Sequence, residues 1–149
     1  MKKIWIALLL LASVSAQAQP AGYDKALADS LGADEYGMKM YVLALLKTGP
    51  ATGVSKAASD SFFTGHMANI GRLAAQGKLV VAGPMRKNER SLRGLFIFNV
   101  RTIAEAQELL KTDPALAAGL LDAELYEWYG SAALPTYLPN HERVQKKSH

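Results

Sequence analysis

Apolar runs alternate with polar breaks along the chain and predict the order strand, helix, strand, strand, helix, strand. The runs predicted as strands span residues 38–46, 79–82, 95–100 and 120–128. The third run extends back to Leu92, and turn clusters containing Gly-Pro follow the first two runs, at 47–50 and 83–84. The residues after Trp128 are predicted to form a loop-rich tail.

A first helix is predicted from about Asp60 to Gln76. Asp is a favoured N-cap residue, and Gly77 stands where a helix commonly ends in a left-handed residue. Apolar residues that recur at helical spacing are expected to form its buried stripe, namely Phe63, Met67, Ile70 and Ala74.

A second helix is predicted to begin at Ile103. Thr102 and Glu105 have the spacing of a capping box, and Pro114 forces the helix to end before it. Two helical turns are also expected over 23–31, within a lead-in segment that precedes the first strand.

This element order most simply builds an α+β ferredoxin-like βαββαβ sandwich, in which two helices cover one face of an antiparallel sheet. The first and third strands, however, do not alternate apolar with polar residues. In the first strand one face carries Tyr41, Leu43 and Leu45, and the other face carries Met40, Val42, Ala44 and Leu46. Both faces of the sheet therefore favour burial, and the simplest cover for the second face is another copy of the chain. A homodimer is predicted.

The N-terminus has the pattern of a secretory signal peptide. Two lysines precede an apolar stretch at 4–12, and Ala16-Gln17-Ala18 fits the small-x-small cleavage signal. We expect cleavage after Ala18, which places the mature protein in the periplasm or outside the cell, without a membrane anchor. The alternative is an uncleaved anchor, but the apolar stretch is too short to span a bilayer as a helix. The chain then divides into signal peptide 1–18, lead-in 19–37, one domain 38–130 and tail 131–149.

Composition narrows the function classes. Removing residues 1–18 from the 149-residue chain also removes two of its 17 basic residues, which leaves 15 basic against 13 acidic residues. So weak an excess does not suggest a nucleic-acid partner. The chain has no Cys, so disulfides, thiolate catalysis and Cys-ligated metals are excluded.

Three residues are candidates for chemistry. His66 lies beside the apolar stripe of the first helix, where a partly desolvated imidazole needs a hydrogen-bond partner. Asp113 directly precedes a proline, and the predicted fold allows it to approach His66 and to serve as the partner that fixes the His tautomer. Arg93 precedes the apolar run of the third strand and is a candidate for binding an anionic group. The structural alternatives are a satisfied core histidine, the cap of an Asp-Pro turn and a surface arginine. His141 and His149 belong to the polar tail and are expected to be inert.

The spacing of these residues resembles the YciI-like (YCII-related domain) family. The resemblance rests on His66 together with residues 73–79, 82–84, 93–98, 104–106, 112–114 and 126–128. The segments 32–38 and 128–134 resemble an exported branch of that family. The resemblance implies a dimeric α/β barrel, and it implies that His66 and Asp113 match the family's proposed His–Asp active-site pair.

Two functions from different classes remain open. The first is a cofactor-independent enzyme of the isomerase or lyase type, in which the His–Asp pair performs acid–base chemistry on a small molecule. The alternative is a non-catalytic dimeric module that binds a small ligand or has a stress-related role. A less favoured form of this alternative binds haem with His66 as an axial ligand. A purely structural dimer is favoured if side chains such as Phe62, Phe96 and Trp128 fill the cavity. No cofactor and no metal are expected, because nucleotide-binding and metal-site motifs are absent from the sequence.

Overall fold

The computed structural model describes residues 22–147, so the predicted signal peptide and His149 lie outside the described residues. The elements are α1 Lys25–Leu31, β1 Met38–Thr48, α2 Lys56–Ala75, β2 Leu79–Pro84, β3 Leu92–Phe98, α3 Ile103–Lys111, α4 Pro114–Ala117, β4 Leu121–Ser131, a 3₁₀ turn Leu134–Tyr137 and α5 Leu138–Val144. Within this range, no helix is both long and apolar enough to cross a membrane.

The four strands form one antiparallel sheet in the order β2-β3-β1-β4. The first and last strands of the chain are therefore neighbours, and each half of the domain contributes one central and one edge strand. This is the predicted α+β ferredoxin-like arrangement, and the fold prediction is confirmed.

The hydrophobic core lies between the helices and one face of the sheet. From the sheet it takes Val42, Ala44, Leu46, Phe96, Phe98 and Leu121, and from the helices it takes Leu73, Ala106, Leu110 and Ala115. These strand residues share a face because partners across antiparallel strands, such as Val42 and Phe98, point the same way. The sequence pattern does not predict which face of the sheet the helices cover, because both faces are apolar.

The second face of the sheet is also apolar but less buried. Its half-buried members are Leu43, Leu45, Leu95 and Ile97. Tyr126 and Trp128 of β4 pair across from Leu43 and Tyr41, so they lie on this face, and they are 48% and 37% exposed. The chain therefore presents a continuous apolar sheet surface opposite its helices.

One predicted helix start needs correction, and another is confirmed. Helix α2 begins at Lys56 rather than Asp60, because Ser55 is its N-cap and the Ser55 side chain accepts from the Ala58 N–H at 3.3 Å. The Lys-Ala-Ala run at 56–58 consists of helix formers, so it adds a turn before Asp60. The predicted capping box is present, with Thr102 and Glu105 each accepting from the other's backbone N–H.

The tail is not a loop. The C-terminal segment, defined here as residues 132–144, contains a 3₁₀ turn and α5. Prolines at the first turn of both elements fit a helix start, where a missing N–H costs nothing. The prediction of a loop-rich tail was wrong, because residues 134–144 form these two short helical elements.

The lead-in is attached to the last strand through Asp34. Its carboxylate accepts backbone N–H groups of Tyr36 and Met38, both at 2.9 Å, and the hydroxyl of Tyr129. The hydrogen bond to Asp34 raises the pKa of Tyr129 to about 12. The same bonds, that from Tyr129 first, lower the pKa of Asp34.

Candidate active site

The structure brings His66 and Asp113 together from α2 and the turn before α4. His66 Nδ1 lies 2.7 Å from Asp113 Oδ2, although the two residues are 47 positions apart in sequence. Both side chains are almost completely buried, 10% and 1% exposed. An ionised carboxylate only accepts, so the Nδ1 that faces it carries the hydrogen, and Nε2 is left as the basic nitrogen.

Two aromatic rings fix the plane of the His66 imidazole. Phe96 of β3 stacks on it with centroids 5.7 Å apart and planes at 24°, and Phe63 meets it edge-on at 6.0 Å. The orientation of His66 is therefore set by the two aromatic rings as well as by the hydrogen bond at Nδ1.

Asp113 is held ionised by a set of donors. Its Oδ1 caps α4 by accepting from the N–H groups of Ala115 at 2.9 Å and Leu116 at 3.4 Å. Burial acts to raise the pKa of Asp113, but the hydrogen bond and charge of His66 and these backbone donors outweigh it, so that the pKa is lowered. The predicted Asp-Pro cap and the predicted His partner are thus the same carboxylate, which uses one oxygen for each.

Asn69 is a site residue that the sequence reasoning missed. It is buried one turn after His66, and its amide nitrogen lies 3.5 Å from Asp113 Oδ2. Its carbonyl oxygen accepts from Arg72 at 2.5 Å, which orients the amide with its N–H groups toward Asp113. An Asn three residues after a candidate His lies on the same helix face, and that spacing was the available signal.

A close contact between α2 and α4 sets the distance between the two site residues. Gly65 faces Pro114, and a Cβ at position 65 would lie 2.8 Å from Pro114 Cγ. Because His66 and Asp113 are the chain neighbours of these two residues, their approach depends on the absence of a side chain at Gly65.

A cavity of about 480 Å³ opens beside His66, between α2 and the strands β2 and β3. The four residues predicted to form the buried stripe of the helix line it instead: Phe63, Met67, Ile70 and Ala74. The buried residues of α2 are His66, Asn69 and Leu73, so the predicted stripe is only partly buried. It forms a cavity wall, and its members Phe63 and Ile70 also pack against the core. Phe96 lines the cavity without filling it, whereas Trp128 belongs to the opposite face of the sheet.

Arg93 and His141 also line this cavity. Arg93 is exposed, and its guanidinium makes no hydrogen bond or ion pair with any residue in 22–147. The expectation that His141 belongs to an inert tail does not fit its position on the cavity wall, to which α5 carries it. In the same range, no group of three or more His, Asp or Glu side chains is arranged to bind a metal ion.

Comparisons with known proteins identify the family of the domain. The family model of the YCII-related domain matches residues 40–129. No curated protein matches the chain. Among solved structures, the chain is similar to the 5-chloro-2-hydroxyhydroquinone dehydrochlorinase TftG of Burkholderia phenoliruptrix in complex with 2,5-dihydroxybenzoquinone, at 21% identity and a TM-score of 0.43. The similarity covers 60% of this chain and 93% of that chain.

Proposed function

The chain belongs to the YCII-related domain family, and we propose that it is an exported, cofactor-independent enzyme that performs acid–base chemistry on a small molecule. One observation carries the proposal. The His66–Asp113 hydrogen bond of 2.7 Å holds an imidazole at the wall of an apolar cavity, where a ligand can reach it. A buried carboxylate that fixes a histidine tautomer is the arrangement that a general base needs.

The proposed reaction begins with proton transfer to His66 Nε2. The proton leaves a carbon next to a carbonyl group, or a hydroxyl, and Asp113 stabilises the imidazolium through Nδ1. In an isomerisation, the imidazolium returns the proton to another atom of the same molecule. In an elimination, the electron pair of the broken C–H bond forms a double bond while the leaving group departs with its own bonding pair, and solvent later removes the proton from His66.

Other residues of the cavity support this chemistry. Phe63 and Phe96 pack against the imidazole and lower its contact with water, which strengthens electrostatic interactions at the site. Arg93 has no partner among the described residues and is the proposed binding group for a negative charge on the substrate.

Deuterium exchange tests the proposal without knowledge of the physiological substrate. The mature protein is incubated in D₂O with a panel of enolisable keto acids and hydroxylated aromatic acids, and loss of C–H signals is followed by NMR. We expect at least one compound to exchange. His66→Asn, which keeps a donor toward Asp113 but lacks Nε2, should reduce exchange by about a hundredfold or more, the usual contribution of a general base.

The matched control is Asp60→Asn, which removes an exposed carboxylate from the same helix. Among the described residues, this carboxylate forms its ion pair with Lys56. The control variant should exchange like the wild type. If His66→Asn exchanges as fast as the wild type, His66 is not the base. If ligands bind in the cavity but no compound exchanges, the protein is the non-catalytic binding module that is the alternative function.

We further propose that the enzyme is exported and dimeric. The mature protein recovered from a periplasmic or culture fraction should begin at Gln19, which mass spectrometry of the intact chain would detect. The apolar second face of the sheet, with half-buried Leu43 and Ile97 and exposed Trp128, is the proposed dimer surface. An N-terminus at Met1 in the exported fraction would contradict cleavage after Ala18.

A further inference from the structure

Part of the cavity wall comes from the C-terminal segment. Tyr137, Leu138 and His141 line the cavity together with residues of α2, β2 and β3. All three lie beyond residue 129, where the match to the family domain ends. The domain shared with the family thus forms only part of this site, and an additional segment of this chain forms the rest.

Two tyrosine hydroxyls hold this segment against the sheet. Tyr41, itself completely buried, donates to the Ser131 carbonyl at 2.8 Å where β4 ends. Tyr137 donates to the backbone carbonyl of Val80 on the edge strand β2. The segment is thus fixed both where it leaves the sheet and where it reaches the cavity.

Among the described residues that line the cavity, the one side chain of fixed charge is the cationic Arg93. The ionisable side chains that line it are those of His66, Arg93, Tyr137 and His141, and none of the described lining residues is Asp or Glu. The nearby carboxylate, Asp113, is not part of the lining, and both of its oxygens accept hydrogen bonds from other groups. The remaining surface is mainly aliphatic and aromatic. Such a lining complements a small apolar molecule with one anionic group.

We propose that the C-terminal segment is part of the ligand site, and that His141 and Arg93 bind the anionic group of an aromatic acid whose ring lies beside His66. The inference rests on the proposed function, because it takes the cavity beside His66 as the site. Imidazole donates an N–H in either protonation state, and guanidinium always donates, so both can bind a carboxylate or sulfonate. The C-terminal segment would then determine which members of this substrate class bind.

A pair of fluorescent probes tests the proposal by binding alone. The two are 8-anilino-1-naphthalenesulfonate, an aromatic anion, and N-phenyl-1-naphthylamine, which has the same rings without the sulfonate. Titrations of the full mature protein should show that His141→Ala and Arg93→Ala each raise the Kd of the anionic probe about fivefold. This is the effect expected for a partly exposed charged hydrogen bond. The neutral probe should change less than twofold. His141→Gln, which retains an N–H donor, should recover most of the lost affinity for the anionic probe.

Two further variants locate the effect. Arg143→Ala removes a positive charge from α5 at a position that does not line the cavity, and should leave both titrations unchanged. Ala74→Leu adds volume to the cavity wall and should weaken both probes. If Ala74→Leu binds both probes like the wild type, the cavity is not the ligand site and the proposal is wrong.

The proposal is also overturned if His141→Ala binds the anionic probe like the wild type, or if it weakens both probes equally. These outcomes are separate from the fate of the proposed catalysis. A protein in which His66→Asn exchanges protons normally, but in which His141→Ala loses only the anionic probe, would lack the proposed base and still have the proposed ligand site.

Discussion

A single methyl group at Gly65 should disturb both the stability and the site of this protein. In Gly65→Ala, the new Cβ would lie 2.8 Å from Pro114 Cγ and 3.2 Å from Pro114 Cβ. Ordinary carbon contacts are about 3.5–4.0 Å, so α2 and α4 must separate by roughly 1 Å. The proline ring is closed onto its own backbone and cannot rotate away.

The higher helix propensity of Ala stabilises the variant and opposes the destabilising effect of the clash, so the two contributions to stability must be measured separately. Replacing Gly by Ala in a helix interior favours folding by about 1 kcal/mol, whereas overpacking costs about 1–3 kcal/mol. Gly71→Ala is the matched control, because Gly71 lies in the same helix with nothing within 4 Å of an added Cβ. The propensity gain cancels between the variants, so Gly65→Ala should be about 1–3 kcal/mol less stable than Gly71→Ala.

Urea denaturation followed by circular dichroism measures this difference. Gly71→Ala should unfold at a higher urea midpoint than the wild type, and Gly65→Ala at a lower one than Gly71→Ala, with the same dependence on urea. The rate of deuterium exchange should also fall in Gly65→Ala, because the His66–Asp113 hydrogen bond joins the same two helices next to the displaced contact. Equal midpoints for the two variants would refute the reasoning that Gly65 sets the spacing of the site.

Four further results are expected. Asp113→Asn should lose about 2 kcal/mol of stability at pH 7. Because the pKa of Asp113 is lowered in the folded protein, its carboxylate stabilises the fold above the ordinary carboxyl pKa, and the difference in unfolding free energy between variant and wild type should shrink as the pH falls through the folded pKa. A difference that does not depend on pH would count against an ionised carboxylate. Asn69→Ala should slow deuterium exchange while the fold melts cooperatively, and unchanged exchange would remove Asn69 from the site. In an ultraviolet titration, the absorbance change near pH 12 should fall by the equivalent of one tyrosine in Tyr129→Phe, and an unchanged titration would disprove the assignment. Leu43→Glu should convert the proposed dimer to a monomer in sedimentation experiments, and a wild-type monomer would rule out the dimer.

The ferredoxin-like fold could be predicted because the strands and helices of this chain are marked by local signals. The capping box at Thr102 specifies the start of α3 without reference to the rest of the molecule. The turn clusters separate the strands but do not mark their ends, because β1 runs to Thr48 and β2 includes Gly83 and Pro84. The start of α2 was misplaced because Ser55 and Asp60 are both acceptable caps, and only the helix formers between them decide in favour of Ser55.

The cavity could not be predicted in the same way. Phe63 and Ile70 recur with the period of a buried stripe, and periodicity does not distinguish a wall facing a core from a wall facing an empty volume. The position of His141 depends on a long-range contact, the hydrogen bond from Tyr137 to Val80, which has no local signature. The pairing of His66 with Asp113 was open on spacing alone and required the fold.

The two hydrogen-bonding roles of the Asp113 carboxylate have an evolutionary consequence. One oxygen caps α4 and the other faces His66, so selection for folding alone would retain this aspartate without the proposed catalysis. His66 does not cap a helix. On the proposed mechanism, relatives without this chemistry should therefore keep the aspartate and vary at the histidine, which makes position 66 the better marker of the proposed activity.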